Sequence, residues 1–207
     1  MSESKIIIAD DHPMFLEGLE AAIIKQQPNV YIQAANNYLA LFSVLDNDGD
    51  DIDLLIMDLR MPGATSETGL FYIRKRYPEL PIIVLSAHDT IDIRMKCLES
   101  GASDFISKSI DVNELVTAIM EMLSGYYQYP NTTMYQKNHI SAELDRLSSL
   151  TPSQFKVLHL ISNGHANKNI ADLLNISENT VKNHITAIFD KLGVTNRTQA
   201  CNIFNQQ

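Results

Sequence analysis

Short β-branched apolar runs alternate with amphipathic stretches through the first 125 residues, and then the runs stop. Five of them read as strands: residues 5–9 (KIIIA), 30–34 (VYIQA), 53–57 (DLLIM), 81–85 (PIIVL) and the short 104–106 (DFI). The first, third and fourth are apolar throughout, as strands covered on both faces of a parallel sheet are. Helical spacing of apolar positions follows each, over residues 14–26, 38–46, 69–77, 91–100 and 112–123. Asp111 stands as N-cap of the last, with Glu114 at capping-box spacing. This alternation predicts an α/β fold with a doubly wound, five-stranded parallel sheet.

At Gly125 the character changes. The run GYYQYPNTTMYQKNH has Gly, Pro, Asn and Thr but no apolar period, and it reads as a linker. Residues 140–149 read as a short helix leading in, followed by helical segments at 152–163, 167–174, 178–192 and 197–204 with no strand candidate. The expected organisation is a first domain at 1–124, a linker at 125–146 and a small all-α four-helix domain at 147–207. A chain of 207 residues has length for two such cores.

Composition narrows the class. No apolar run reaches the roughly 20 residues that cross a bilayer, and the N-terminal MSESKIIIAD lacks the basic flank of a secretion signal, so a cytoplasmic protein with no membrane partner is expected. Cys97 and Cys201, one in each half, offer neither a disulfide framework nor a metal cluster. The net charge of −9 conceals an asymmetry: residues 1–125 hold 9 Lys and Arg against 20 Asp and Glu, residues 126–207 hold 7 against 5. An acidic module joined to a mildly basic one fits a cation-dependent site tied to a part that meets phosphate backbones.

In a parallel α/β sheet, function gathers where strands end at their carboxyl side. The first strand runs out into Asp10 and Asp11, the third into Asp58 and the fourth into Ser86, and Lys108 lies just beyond the fifth. Three carboxylates drawn together repel one another unless a hard cation such as Mg2+ neutralises them. An Asp beside such an ion can accept a phosphoryl group, given a lysine and a hydroxyl for the phosphoryl oxygens.

The segments ADDHPMF, LLIMDLRMPG, IIVLSAHD and GASDFISK resemble the motifs of the bacterial receiver domain, CheY-like in fold. The resemblance implies Asp58 as phosphoacceptor, Asp10, Asp11 and Asp58 as Mg2+ ligands with the Arg60 main-chain carbonyl, and Ser86 and Lys108 on the phosphoryl oxygens. Phe105 falls at the family's switch aromatic. One departure stands out: Ala64-Thr65-Ser66-Glu67-Thr68 intervenes before Gly69-Leu70, about three residues more than the family pattern carries after its Met-Pro-Gly. That longer loop is expected to adjust partner recognition or water access, and Arg60 and His88 to face the pocket mouth.

In the second half, residues 167–192 read as a helix, a turn at Leu174-Asn175-Ile176-Ser177 and a second helix with Ser177 as N-cap, which is helix-turn-helix order. The second helix leaves a polar face of Thr180, Lys182, Asn183, Thr186 and Lys191. The run from LTPSQFKVL to TNRTQA resembles the LuxR-type domain of the NarL/FixJ subfamily almost end to end. It implies Lys182, Asn183 and Thr186 at base edges and Asn167, Lys168, Asn179, Thr180 and Lys191 as phosphate or capping contacts. The last helix resembles the segment through which such domains pair on inverted half-sites. Here the departure is Ser153, Gln154, Phe155 and Lys156, where the family often has Arg-Glu-x-Glu, so an intradomain charge pairing is expected to be missing.

Together these readings imply a transcriptional response regulator that is not an enzyme. Its expected partners are a cognate histidine kinase, promoter double-stranded DNA and a second copy of itself in an active homodimer. Two alternatives remain open on sequence. One is a phosphorylation-independent receiver acting as a protein–protein module. The other is a dehalogenase-type enzyme, which needs a second carboxylate where this chain has Arg60 and leaves the helix-turn-helix unexplained.

Overall fold

The structure, a computed structural model, describes residues 4–48, 51–61, 66–125 and 146–205. Strands β1 (Ser4–Ala9), β2 (Val30–Ala35), β3 (Leu54–Asp58), β4 (Ile82–Ser86) and β5 (Asp104–Ser107) form one parallel sheet in the order β2-β1-β3-β4-β5. Helices α1 (Pro13–Gln26), α2 (Tyr38–Asp48), α3 (Ser66–Arg76) and α4 (Ile91–Glu99) make the crossovers, and α5 (Val112–Leu123) follows the last strand. The period of two along each strand divides the sheet residues cleanly. Ile6, Ile8, Leu54, Ile56, Ile83 and Leu85 pack with α1 and α5. Ile7, Ala9, Leu55, Met57, Ile82 and Val84 pack with α2, α3 and α4. Each of these side chains except Ala9 stabilises the fold by about 1.5–3 kcal/mol through burial, so a one-residue slip of a central strand would exchange both faces at once.

Within the described residues, expected and observed elements agree to within a residue or two, with one exception; of the short helix expected at 140–149, residues 140–145 lie outside them and 146–148 are helical. Helix α3 begins at Ser66, not at Gly69, so the described part of the longer loop, residues 66–68, is helical. Residues 64 and 65 lie outside the described ones. The polar sequence carries no apolar period to announce this turn; tertiary contact holds it, since Thr68 is buried against the far end of the chain. Immediately after it, a Cβ on Gly69 would lie 2.5 Å from Tyr38 Cε1, so α2 and α3 approach as closely as they do only because position 69 has no side chain. Asp111 does cap α5, through the Asn113 N–H at 2.8 Å.

The C-terminal unit is all-α: α6 (Pro152–Ser162), α7 (Asn167–Leu174), α8 (Glu178–Leu192) and α9 (Arg197–Asn205). A capping box between Thr151 and Gln154 opens α6. The turn after α7 is made by Asn175 in the left-handed region, φ 52°, with the Ile176 N–H donating back to the Ala171 carbonyl at 3.0 Å. Ser177 then caps α8 by accepting from the Thr180 N–H at 3.0 Å. Val157, Leu158, Ile161, Ile170, Val181, Ile188, Leu192 and Ala200 form the core between these helices. The linker reading of residues 125–146 lies almost wholly outside the described residues, only Gly125 and Arg146 at its ends falling within them.

Candidate functional site

Four of the strand-end groups meet at the carboxyl edge of the sheet. Asp10 follows β1 and Asp58 ends β3, both buried, while Asp11 is partly open to solvent. The Lys108 ammonium reaches in from the end of β5, 2.6 Å from Asp10 Oδ2 and 2.6 Å from Asp58 Oδ2. Burial works against its charge, but hydrogen bonds and attraction from Asp10 and Asp58 outweigh that and hold its pKa above the usual lysine range. The other Asp58 oxygen accepts the Arg60 N–H at 3.0 Å, which fixes the carboxylate in the plane of its own loop.

The three carboxylates have a further neighbour in His12, the histidine of ADDHPMF, to which no role fell on sequence. Its Nδ1 lies 3.0 Å from Asp10 Oδ1, 3.1 Å from Asp11 Oδ1 and 4.0 Å from Asp58 Oδ2. Its place directly after the aspartate pair was the available signal. Asp11 Oδ1 is shielded from solvent and, beyond the His12 ring nitrogen beside it, has no hydrogen-bond donor among the described residues. A buried carboxylate oxygen left over beside two further carboxylates suits a hard divalent cation, so Asp10, Asp11 and Asp58 fit the Mg2+ site expected of them.

Ser86 ends β4 at the same edge, but its hydroxyl is turned to its own loop, donating to the His88 carbonyl at 3.1 Å and accepting the His88 N–H at 3.0 Å. His88 Nε2 stands 3.5 Å from the Arg60 guanidinium, both side chains being exposed. Phe105 is buried, with the Arg94 guanidinium 4.9 Å over its ring and donating to its carbonyl at 2.8 Å. Its neighbour Asp104 has its carboxyl pushed upward by burial, partly offset by the Phe105 N–H and Arg94.

In the C-terminal unit, Lys182, Asn183 and Thr186 are exposed on one side of α8, Thr186 donating to the Lys182 carbonyl at 3.1 Å. Lys168 and Asn179 are exposed and Asn167 half-buried at the start of α7. Thr180 shares a hydrogen bond with the capping Ser177, 2.8 Å between hydroxyls. Lys191 is engaged within the unit, its Nζ donating to the Ser149 carbonyl at 2.8 Å and Gln154 Oε1 at 2.9 Å. A neutral amide thus takes the cation there, and Lys156 pairs elsewhere, with Asp46 of the first domain.

Comparison with known families places this geometry. Residues 6–120, more than half the chain, match the response regulator receiver domain, and residues 148–204 match the bacterial regulatory proteins of the luxR family. The chain is a response regulator. It belongs to the two-domain family in which a receiver precedes a LuxR-type domain, DNA-binding regulators of transcription. Among curated relatives, this response regulator is 35% identical to the glycerol metabolism activator of Pseudomonas putida over 205 residues, 95% of this chain and 92% of the relative. To the nitrate/nitrite response regulator NarP of Escherichia coli it is 30% identical over 206 residues, 98% and 95% of the two chains. Its fold resembles that of RcsB from Salmonella enterica serovar Typhimurium bound to a promoter in the presence of the phosphomimetic BeF3−, with a TM-score of 0.54, 26% identity and all of both chains covered.

Proposed function

We propose that this regulator accepts a phosphoryl group on Asp58 from a cognate histidine kinase and, so modified, binds promoter double-stranded DNA as a homodimer. The observation that carries the reading is the placement of Lys108 and Asp58 with Asp10 and the leftover Asp11 oxygen in one pocket. An Asp58 oxygen attacks phosphorus as the bond to the kinase histidine breaks, and the leaving imidazole keeps that bond's electrons and takes a proton. Lys108 already faces the oxygen side of Asp58 and neutralises the charge that the phosphoryl oxygens bring. Ser86 joins by leaving His88, and the space that this movement frees beside β5 is where Phe105 acts as the switch. Asp10, Asp11, Asp58 and the Arg60 main-chain carbonyl would hold Mg2+, which would add to the neutralisation of the phosphoryl oxygens.

On the DNA side, Lys182, Asn183 and Thr186 read base edges from α8, while Asn167, Lys168, Asn179 and Thr180 serve phosphates or helix ends. Lys191 reaches a phosphate only by giving up Ser149 and Gln154. Among the described residues, no helix is long and apolar enough to cross a membrane, and we place the protein's action in the cytoplasm. Its role is regulatory, with self-phosphorylation from a donor as its only chemistry.

Intact mass after incubation with Mg2+ and a small-molecule phosphodonor tests the reading. One phosphoryl mass gained by the wild type and not by Asp58→Ala is expected. No gain in either chain would transfer the reading to a phosphorylation-independent receiver.

A further inference from the structure

His12 stands at the pocket without a part in the function proposed above. It is the N-cap residue of α1, with Pro13 opening the helix behind it, yet its side chain makes no capping bond. Helices are capped well by Ser, Thr, Asp and Asn, so the start of α1 gives no account of an imidazole at this position. Packing gives none either, because the side chain is 67% exposed. What the backbone does is turn the residue towards the carboxylates: the His12 N–H donates to Asp10 Oδ1 at 2.9 Å, which draws position 12 over the end of β1.

The distances have the form of a coordination shell. From His12 Nδ1 it is 3.0 Å to Asp10 Oδ1, 3.1 Å to Asp11 Oδ1 and 4.0 Å to Asp58 Oδ2. An octahedral dication with ligands at about 2.0–2.1 Å sets neighbouring ligands about 3 Å apart and opposite ones about 4.2 Å apart. By that measure the nitrogen stands beside Asp10 and Asp11 and across from Asp58. One ligand atom from each of the four residues lies within 4.8 Å of all the others, so a single ion can reach them with small side-chain adjustments. Lys108 does not close this corner. It meets Asp10 through the other oxygen, Oδ2, and shares only Asp58 Oδ2 with it.

We infer that His12 Nδ1 is a fourth side-chain ligand of this pocket, and that its nitrogen shifts the pocket's preference from Mg2+ towards first-row transition dications. Mg2+ takes oxygen ligands and gives up its water reluctantly, whereas imidazole suits transition ions, whose affinity for nitrogen-bearing sites rises along the series from Mn2+ to Cu2+. Three carboxylates alone carry no such bias. The inference rests on the cation site of the function proposed above and adds a further class of ion to it. Because position 12 is also the N-cap of α1, an ion held by the ring ties the start of that helix to the phosphoacceptor.

Ion binding to the full chain, with no phosphodonor present, provides the test. Wild type, His12→Asn and Asp58→Ala are titrated by calorimetry with Mg2+ and, separately, with Co2+. The ratio of Co2+ to Mg2+ affinity is expected to fall on the order of 10-fold or more in His12→Asn, the scale on which metal sites respond to loss of a supporting group. Asp58→Ala should weaken both ions, which places them in this pocket. With Mn2+ as the probe, pulsed electron paramagnetic resonance should show coupling to an imidazole nitrogen in the wild type and none in His12→Asn. Circular dichroism of the variants should match the wild type, since the exposed ring leaves no cavity behind it. An unchanged affinity ratio in His12→Asn, or a wild-type Mn2+ signal without nitrogen coupling, would reduce His12 to a hydrogen-bond donor and overturn the inference. If that protein still binds Mg2+ and takes a phosphoryl group by mass, the proposed function stands without it. A wild type that binds none of the three ions would overturn the cation site and the inference together.

Discussion

The Lys108 ammonium sits 2.6 Å from Asp58 Oδ2, closer to the phosphoacceptor than any other cation among the described residues. It holds the pocket's charge in balance, and its loss should separate two properties that an acidic pocket otherwise couples. Lys108→Ala is expected to bind Mg2+ more tightly in calorimetry, because one positive charge is gone, while its rate of phosphoryl uptake falls on the order of 100-fold. Equal loss of both would show that Lys108 only maintains the shape of the site.

His159 predicts an acid sensitivity. It is buried beside Tyr38 and Phe204, its Nδ1 has no hydrogen-bond partner among the described residues, and burial, aided by repulsion from His165, lowers its pKa to about 4. The native state thus resists a proton that the unfolded chain accepts near pH 6.5. The neutral imidazole's contribution is complete above pH 6.5 and declines as pH falls through the interval down to about 4. At pH 5 the loss relative to pH 7 should be on the order of 2 kcal/mol in urea unfolding, and His159→Gln should remove that component of the slope.

Gly69→Ala should destabilise the receiver by about 1–3 kcal/mol, because the added methyl would lie 2.5 Å from the Tyr38 ring, which is itself packed without free space. Thermal unfolding of the variant checks this, and pairing it with Tyr38→Leu should recover part of the loss by making room. A Gly69→Ala protein as stable as wild type would mean that α2 and α3 separate without cost.

Two substitutions should distinguish positioning from reading on DNA. Lys168→Ala is expected to weaken binding evenly across sequences and to reduce the slope of log affinity against log salt by about 1. Asn183→Ala should cost about 1–3 kcal/mol at its preferred site and little elsewhere. Affinities for a selected operator and for a scrambled duplex, each at two salt concentrations, decide the matter, and identical behaviour of both variants would contradict the assigned roles.

The sheet was legible because its strands are either wholly apolar or end in the chemistry they position: KIIIA leads into Asp10 and Asp11, and LLIM into Asp58. Local patterns also carried the helix-turn-helix, where Asn175 and Ser177 supply the left-handed turn and the cap that the fold uses. What sequence did not disclose depends on partners distant along the chain. Thr68 and Phe155 are polar-loop and helix-start residues by pattern, and only each other's domain makes them interior. Lys191 looked like a free cation on a polar face because Ser149 and Gln154 reach it from 42 and 37 residues away. The orientation of Ser86 toward His88 is likewise a matter of rotamer, which no spacing encodes.

One apolar core runs without interruption from Leu55 in the sheet, through Phe42 and Tyr72, to Phe155, Phe204 and Ile188 in the C-terminal unit. A chain built this way has no spare seam along which to melt in halves. Heat or denaturant that loosens α2 strips cover from α6 at the same moment, so the signalling half and the output half share a single unfolding transition in this arrangement. Severed from its receiver, the output half would carry Phe155 into water at the centre of a bare aromatic patch, and would aggregate more readily than the intact chain.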